Sequence, residues 1–280
     1  MSELPMSINK AAARYQPIET DGLKLYPVLV REYEHFLIAR PALEILHQSL
    51  PVAMMRVPLL SALYQMDYEA VLKGQPALGL FSRAILLLAL AMRLGEGKEI
   101  EERTRQFQIM VDPKSPATLQ RLRFTDENGE EKEITPAQFA KLRQIIALQN
   151  GVKLASDMAN PDLVKAEKDI ASAGDMKLDA NIEDWISAVS ALTGVSEEEI
   201  DEWPILKFQK RSDTFQRILA YLVCGIGECS GATWKGGNPN PHPFFARLKD
   251  GSGVLTALGG EKKPSQAAIA IRDFTKNLSP

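Results

Sequence analysis

Residues 192–230 read LTGVSEEEIDEWPILKFQKRSDTFQRILAYLVCGIGECS, and this stretch decides the fold class. Gly194 is a helix stop, and Ser196 with Glu199 forms a capping box that opens a short acidic turn. Trp203-Pro204 ends that turn, because a residue before proline is pushed out of the helical region; Pro204 then suits the first position of the next helix. Beyond it Ile205, Phe208, Ser212, Phe215, Leu219 and Leu222 recur at steps of three and four, which predicts one buried helix face. Lys207, Lys210, Arg211 and Arg217 fall away from that face. The stretch therefore predicts two helices joined by a turn, with an apolar seam and a basic outer side. It carries no catalytic constellation.

Working toward the N-terminus, Ile182, Trp185, Ile186, Val189 and Leu192 keep helical spacing and predict a helix that packs on this pair. Residues 153–180 are polar and poorly periodic, with one charged helix expected over 161–171, and read as a linker or surface excursion. Thr135-Pro136 is a cap-and-proline start for a helix whose inward positions are Phe139, Leu142, Ile145, Ile146 and Leu148. Strands are expected over 106–111, 119–125 and 130–134. Asn128-Gly129 between the last two is a strong hairpin signal, because both residues accept positive φ. Residues 81–94 are apolar on nearly every side and predict a surrounded helix stopped by Gly95 and Gly97. The methionine-rich run 52–72 reads as gap-filling core, and 28–40 reads as helix with Val30, Tyr33, Phe36 and Leu37 inward and a kinked continuation over 42–50. A short strand is expected at 23–26, after a loosely held arm over 1–21.

The expected fold is mainly helical α+β. An N-terminal α+β unit over 1–152 carries a small antiparallel hairpin or meander near 120–134; a C-terminal helical unit over 181–280 ends in an irregular tail.

Composition narrows the function classes. A net charge of −3 lacks the basic footprint of a protein that coats nucleic acid, although a local basic patch remains compatible with it. Two cysteines, Cys224 and Cys229, form no disulfide framework and suit a reducing compartment, so the cytoplasm is the expected location. The longest apolar run, 84–92, is far below the roughly 20 residues that cross a bilayer, so no membrane is expected.

Candidate chemistry is thin. Cys224, Cys229 and His242 fall short of the closed four-ligand set of a zinc site, and no metal or cofactor is expected. Gly225-Ile-Gly227 follows a helix rather than a strand and reads as glycine caps at a helix end, not as a dinucleotide fingerprint. His35, His47 and His242 are each alone, with no nucleophile elbow to serve. Glu197, Glu198 and Glu199 suit a first helical turn, where the macrodipole favours negative charge. What remains is a contact surface. Trp203, Lys207, Lys210, Arg211, Trp234, Phe244 and Phe245 combine the aromatic and basic groups that dominate protein interfaces. The same charges and rings admit a nucleic-acid-binding regulator that uses the basic helix 204–223.

Segments ANPDLVKAEKDIA (159–171), DWISAVSALTGVSEEEIDEWPILKFQKRSDTFQRILAYLVCGIGE (184–228) and WKGGNPNPHPFF (234–245) resemble proteins encoded in tailed-phage and prophage structural modules. They are most similar to small helical tail assembly proteins encoded near the tape-measure gene. LKLYPVLVREYEHFLIA (23–39) is similar to the start of such proteins in prophages of Gram-positive bacteria. The resemblance implies a non-enzymatic, chaperone-like factor in tail assembly that shields another phage structural protein, the long helical tape-measure protein above all. It leaves homo-oligomerisation open.

Overall fold

The computed structural model describes residues 4–155 and 181–231. The architecture is mainly helical α+β, with a two-stranded and a three-stranded antiparallel sheet in the N-terminal half. Two compact units, Met1–Phe208 and Gln209–Pro280, divide the chain. The linker expected over 153–180 lies almost wholly outside the described residues. Residues 181–208 join the first unit, for a reason that emerges at Trp203.

The N-terminal residues are not a loose arm. They form α1 (Met6–Ala13), β1 (Ile18–Thr20) and β2 (Leu23–Leu25), with Ala12, Ile18, Leu23 and Leu25 all buried. β1 and β2 pair antiparallel, with Ile18 opposite Leu25, across Asp21 and Gly22, which both have positive φ (52° and 74°). An Asp-Gly pair with that geometry is a tight-turn signature, and it was present in the sequence.

Residues 28–50 are more broken than their periodicity suggests. A 3₁₀ turn leads into α2 (Tyr33–Ala39), and Pro41 starts the short α3 (Pro41–Glu44). Val30 and Phe36 point inward as expected, but Leu37 is 44% exposed. The methionine-rich run opens with a 3₁₀ turn over Val52–Met54 and becomes α-helical only at α4 (Leu59–Leu72), with Met54 buried before it.

α5 (Leu80–Ala91) is the hub. Ala84, Leu87, Leu88, Ala89 and Ala91 are inaccessible to solvent, and α2, α3 and α4 all pack against it, as does α6 (Ile100–Thr104). A helix apolar all round must be enclosed in this way to keep its side chains from water. Its N-terminus is capped from outside: the Asp67 carboxylate on α4 accepts the Phe81 N–H at 3.0 Å. This places a carboxylate where the helix dipole favours negative charge.

The strands β3 (Gln108–Asp112), β4 (Ser115–Thr125) and β5 (Glu131–Ile134) form a meander. A bulge makes Met110 face Arg121 while Val111 faces Leu119, and this single-residue slip sends Leu119, Leu122 and Phe124 all to the core side. α4 covers that side, where the Ser61 hydroxyl donates to the Leu119 carbonyl and Tyr64 to that of Pro116.

The hairpin over 120–134 stands, but its turn differs from a two-residue Asn-Gly turn. The Gly129 N–H donates to the Asp126 carbonyl, and only Gly129 has positive φ (80°). This is a type I turn closed by a left-handed glycine. The Asp126 carboxylate accepts the N–H groups of Asn128 and Glu130, which fixes the loop. Space around Gly129 is open, so a side chain there meets only the backbone penalty. Gly129→Val is expected to lower stability by about 1–2 kcal/mol, the cost of a left-handed L-residue; an unchanged denaturant midpoint would contradict this turn.

α7 (Phe139–Gln149) inserts Phe139, Leu142, Ile145 and Ile146 into the core, each at 0% exposure. Its polar side chains tie down irregular backbone. Buried Arg143 donates to the carbonyls of Leu43 and Ile45, Gln149 to those of Gln16 and Leu25, and Asn150 accepts the Val28 N–H. Buried backbone groups outside helices and sheets need such partners.

Candidate functional site

α8 (Ile182–Thr193) and α9 (Glu197–Asp201) lead to the region from which the sequence draws its candidate surface. Asn181 and Asp184 cap α8 reciprocally, and Gly194 closes it in the left-handed conformation. Ser196 accepts the Glu199 N–H at α9, giving the first half of the expected capping box. Glu198 has its carboxyl held below the usual range by its own backbone N–H and by the Ser196 hydroxyl. The acidic first turn thus neutralises exposed helix donors.

Trp203-Pro204 does more than end α9. The Trp203 carbonyl accepts the Val30 N–H at 2.9 Å, and the Ile205 N–H donates to the Val28 carbonyl at 2.9 Å. Pro204 lies opposite Leu29 in an antiparallel bridge. Proline lacks an N–H, but in this bridge the donors come from the residues around it, so none is missed. This two-bond ladder, with Arg31 pairing to both Glu202 and Glu96, makes residues 181–208 part of the first unit.

Trp203 itself is 7% exposed, which corrects its reading as an exposed contact residue. The proline turn folds its ring inward instead of presenting it, and the Lys207 ammonium lies 4.0 Å from the ring centroid as a cation–π lid.

α10 (Ile205–Cys229) is longer than expected, because it runs straight through Gly225 and Gly227. These glycines are interior helix residues and not caps. The seam also divides. Ile205, Phe208 and Ser212 are buried, Phe215 is half-buried, and Leu219 and Leu222 are 46% and 50% exposed. Val223 and Ile226 extend the exposed part. On the basic side Lys210 and Arg211 are exposed, while Lys207 and Arg217 are partly covered. Arg217 turns back to the Asp213 carbonyl and the Thr214 hydroxyl. Trp234, Phe244, Phe245 and His242 lie outside the described residues.

Two clefts were not legible in the sequence. One, of about 400 Å³, opens between the Asp21-Gly22 hairpin and the Asn128-Gly129 turn. On its wall Tyr26 donates to the Glu127 carboxylate at 2.6 Å and Lys24 donates to the same oxygen at 3.0 Å. These donors hold Glu127 below the usual carboxylate range, Tyr26 first, while burial and the bond to Glu127 push the Tyr26 phenol up. A depressed carboxylate contributes stability that is present above its ordinary pKa and is lost as pH falls through the folded value. Tyr26→Phe should therefore move the Glu127 titration up toward the ordinary carboxylate range, as read by carboxyl NMR. An unmoved titration would show that Lys24 alone sets it.

The second cleft, of about 490 Å³, is lined by Arg31, His35, Glu96 and Lys98 over a buried pair, Arg103 with Glu32. His35 Nδ1 lies 3.1 Å from the second Glu32 oxygen, and Arg103 Nε donates to the Lys98 carbonyl. His47 is engaged elsewhere, with Nε2 at 2.9 Å from the Val57 carbonyl. These contacts are those of a structural network: Arg31, Glu96, Glu32, Arg103 and His35 all face partners, and among the described residues no nucleophile lines the cleft beside the histidine.

Among the described residues no three His, Cys, Asp or Glu side chains gather to hold a metal ion, and no helix is long and apolar enough to cross a membrane. Cys224 is buried and Cys229 exposed. Comparison of the chain with protein-family models, curated proteins and solved structures finds no match.

Proposed function

We propose that this protein is a non-enzymatic phage or prophage assembly factor that works by protein–protein binding, holding a tail structural protein such as the tape-measure protein during tail assembly. The sequence likeness over 159–171, 184–228 and 234–245 motivates the reading. The observation that carries it is the basic side of α10, where Lys210 and Arg211 stand exposed on one continuous helix. Exposed arginine on a helix is a common anchor for a partner, and a helix presents it at low entropic cost. An acidic stretch of a helical client is the complement.

The test is co-expression with the neighbouring phage structural protein. The pair Lys210→Glu and Arg211→Glu should change stability by no more than about 0.5 kcal/mol per site, as exposed substitutions do. The wild type should keep the client soluble and the charge-reversed protein should not. Equal rescue by both removes this face. Binding to DNA or RNA that collapses with rising salt would point instead to a nucleic-acid regulator.

A further inference from the structure

The exposed half of α10 carries a pattern that client binding does not use. Ile205, Phe208, Ser212, Phe215, Leu219, Leu222, Ile226 and Cys229 form an unbroken three-four repeat along the helix. Such a repeat defines a seam for a second helix. Its first part, Ile205 and Phe208, is already buried. Its later part is not: Leu219, Leu222 and Ile226 are 46%, 50% and 66% exposed, and Val223 beside them is 64% exposed. Lys210 and Arg217 lie on the opposite side of the helix.

We propose that this seam is a self-association surface, on which the α10 helix of a second copy packs antiparallel. Two observations select that occupant, and a third says that the strip is covered. The first is register. Assigning Ile205 to the first core position of a heptad puts Phe215 and Leu222 at one kind of core position and Leu219 and Ile226 at the other. Antiparallel packing brings unlike core positions together, so Leu219 meets Leu222 of the second copy and Phe215 meets its Ile226. Both layers repeat by symmetry. The seam is its own complement, as a two-fold interface requires.

The second is charge. Residues 218–227, ILAYLVCGIG, carry no charged group, whereas Lys207, Lys210, Arg211 and Arg217 all lie before them. An uncharged strip offers nothing to select a charged partner. An antiparallel copy places its own uncharged strip there and keeps the two basic halves at opposite ends; a parallel copy would bring them side by side.

The third is helix propensity. Val223, Gly225, Ile226 and Gly227 are poor helix formers, yet α10 continues through them to Cys229. Helices of weak propensity take their stability from packing of an apolar face. The short strip implies a weak, reversible dimer at the small end of specific interfaces.

Sedimentation equilibrium of the full chain over a concentration series tests this. The weight-average mass should rise from 31.0 kDa toward twice that value. Leu219→Lys and Leu222→Glu should each leave the circular dichroism unchanged and keep the protein monomeric. Mixed in equal amounts, the two variants should associate again, because the lysine of one chain then faces the glutamate of the other in the Leu219–Leu222 layer. A wild type monomeric at every concentration overturns the proposal. So does a dimer indifferent to Leu222→Glu, or a pair of variants that stays monomeric when mixed. A monomer whose Leu222→Glu variant melts at lower temperature would mean that the chain's own residues cover the seam, and this also overturns it. Failure here leaves the basic side as a client surface untouched, since co-expression reads that separately.

Discussion

Arg103→Leu is expected to cost about 3–5 kcal/mol of folding stability, the usual penalty for leaving one charge of a buried pair without its partner. The Arg103 side chain is 1% exposed and that of Glu32 11%, so both are largely withdrawn from bulk water in the folded state. Removing the guanidinium leaves Glu32 with His35 alone and frees the Lys98 carbonyl. Urea unfolding should show the loss as a lower midpoint at unchanged slope. The pair Glu32→Leu with Arg103→Leu should recover a good part of it, because two apolar side chains replace two charges that both had to be desolvated. A single variant within about 1 kcal/mol of wild type, well short of the buried-pair penalty, would mean that Glu32 is hydrated through the neighbouring cleft.

Trp203→Ala is expected to cost a similar amount, about 3–5 kcal/mol, as truncation of a buried aromatic does. The ring lies beneath Lys207 at the turn that seats Val30 and Val28 on the backbone of residues 203 and 205. Its loss should loosen the attachment of α8 and α9, so hydrogen exchange at Ile186 and Val189 should rise with the fall in midpoint. A variant with wild-type stability would return Trp203 to the surface where its composition first placed it. By the same physics Phe215, which is half-buried, should lose clearly less on truncation than a core phenylalanine.

These two residues mark where reading a chain locally stops working. Residue types that favour interfaces, tryptophan and arginine, also favour enclosed sites with a satisfied polar edge. Nothing in the local sequence says which environment Trp203 meets, because the backbone that its turn pairs with comes from residues 28–30, far away in sequence. Arg103 and Glu32 are separated in sequence by the four helices α2 to α5, and each looks like an ordinary surface charge on a short helical turn.

Asp21-Gly22 is as good a turn signal as Asn128-Gly129, although the polar residues before it have the composition of a loose arm. Gly225 and Gly227 have the look of caps because glycine is costly in a helix interior. A sustained three-four repeat on both sides of them, ending at Ile226 and Cys229, argued for continuation.

The sequence by itself determined the elements whose signals are local and strong. α5 follows from an apolar run long enough for three turns, α7 from Phe139, Leu142, Ile145 and Ile146 at helical spacing, the meander from alternation around a glycine turn, and α8 to α10 from caps and a proline. Each rests on contacts between residues a few positions apart, so spacing alone carries the information. Tertiary structure decided the rest: that Asp67 caps α5, that Arg143 and Asn150 satisfy irregular backbone, that Trp203 turns inward, and that the α10 seam is buried at Ile205 and bare at Leu222. Those outcomes depend on which distant groups compete for each buried donor, acceptor and apolar face, and a periodic pattern shows that a face is apolar without showing what covers it.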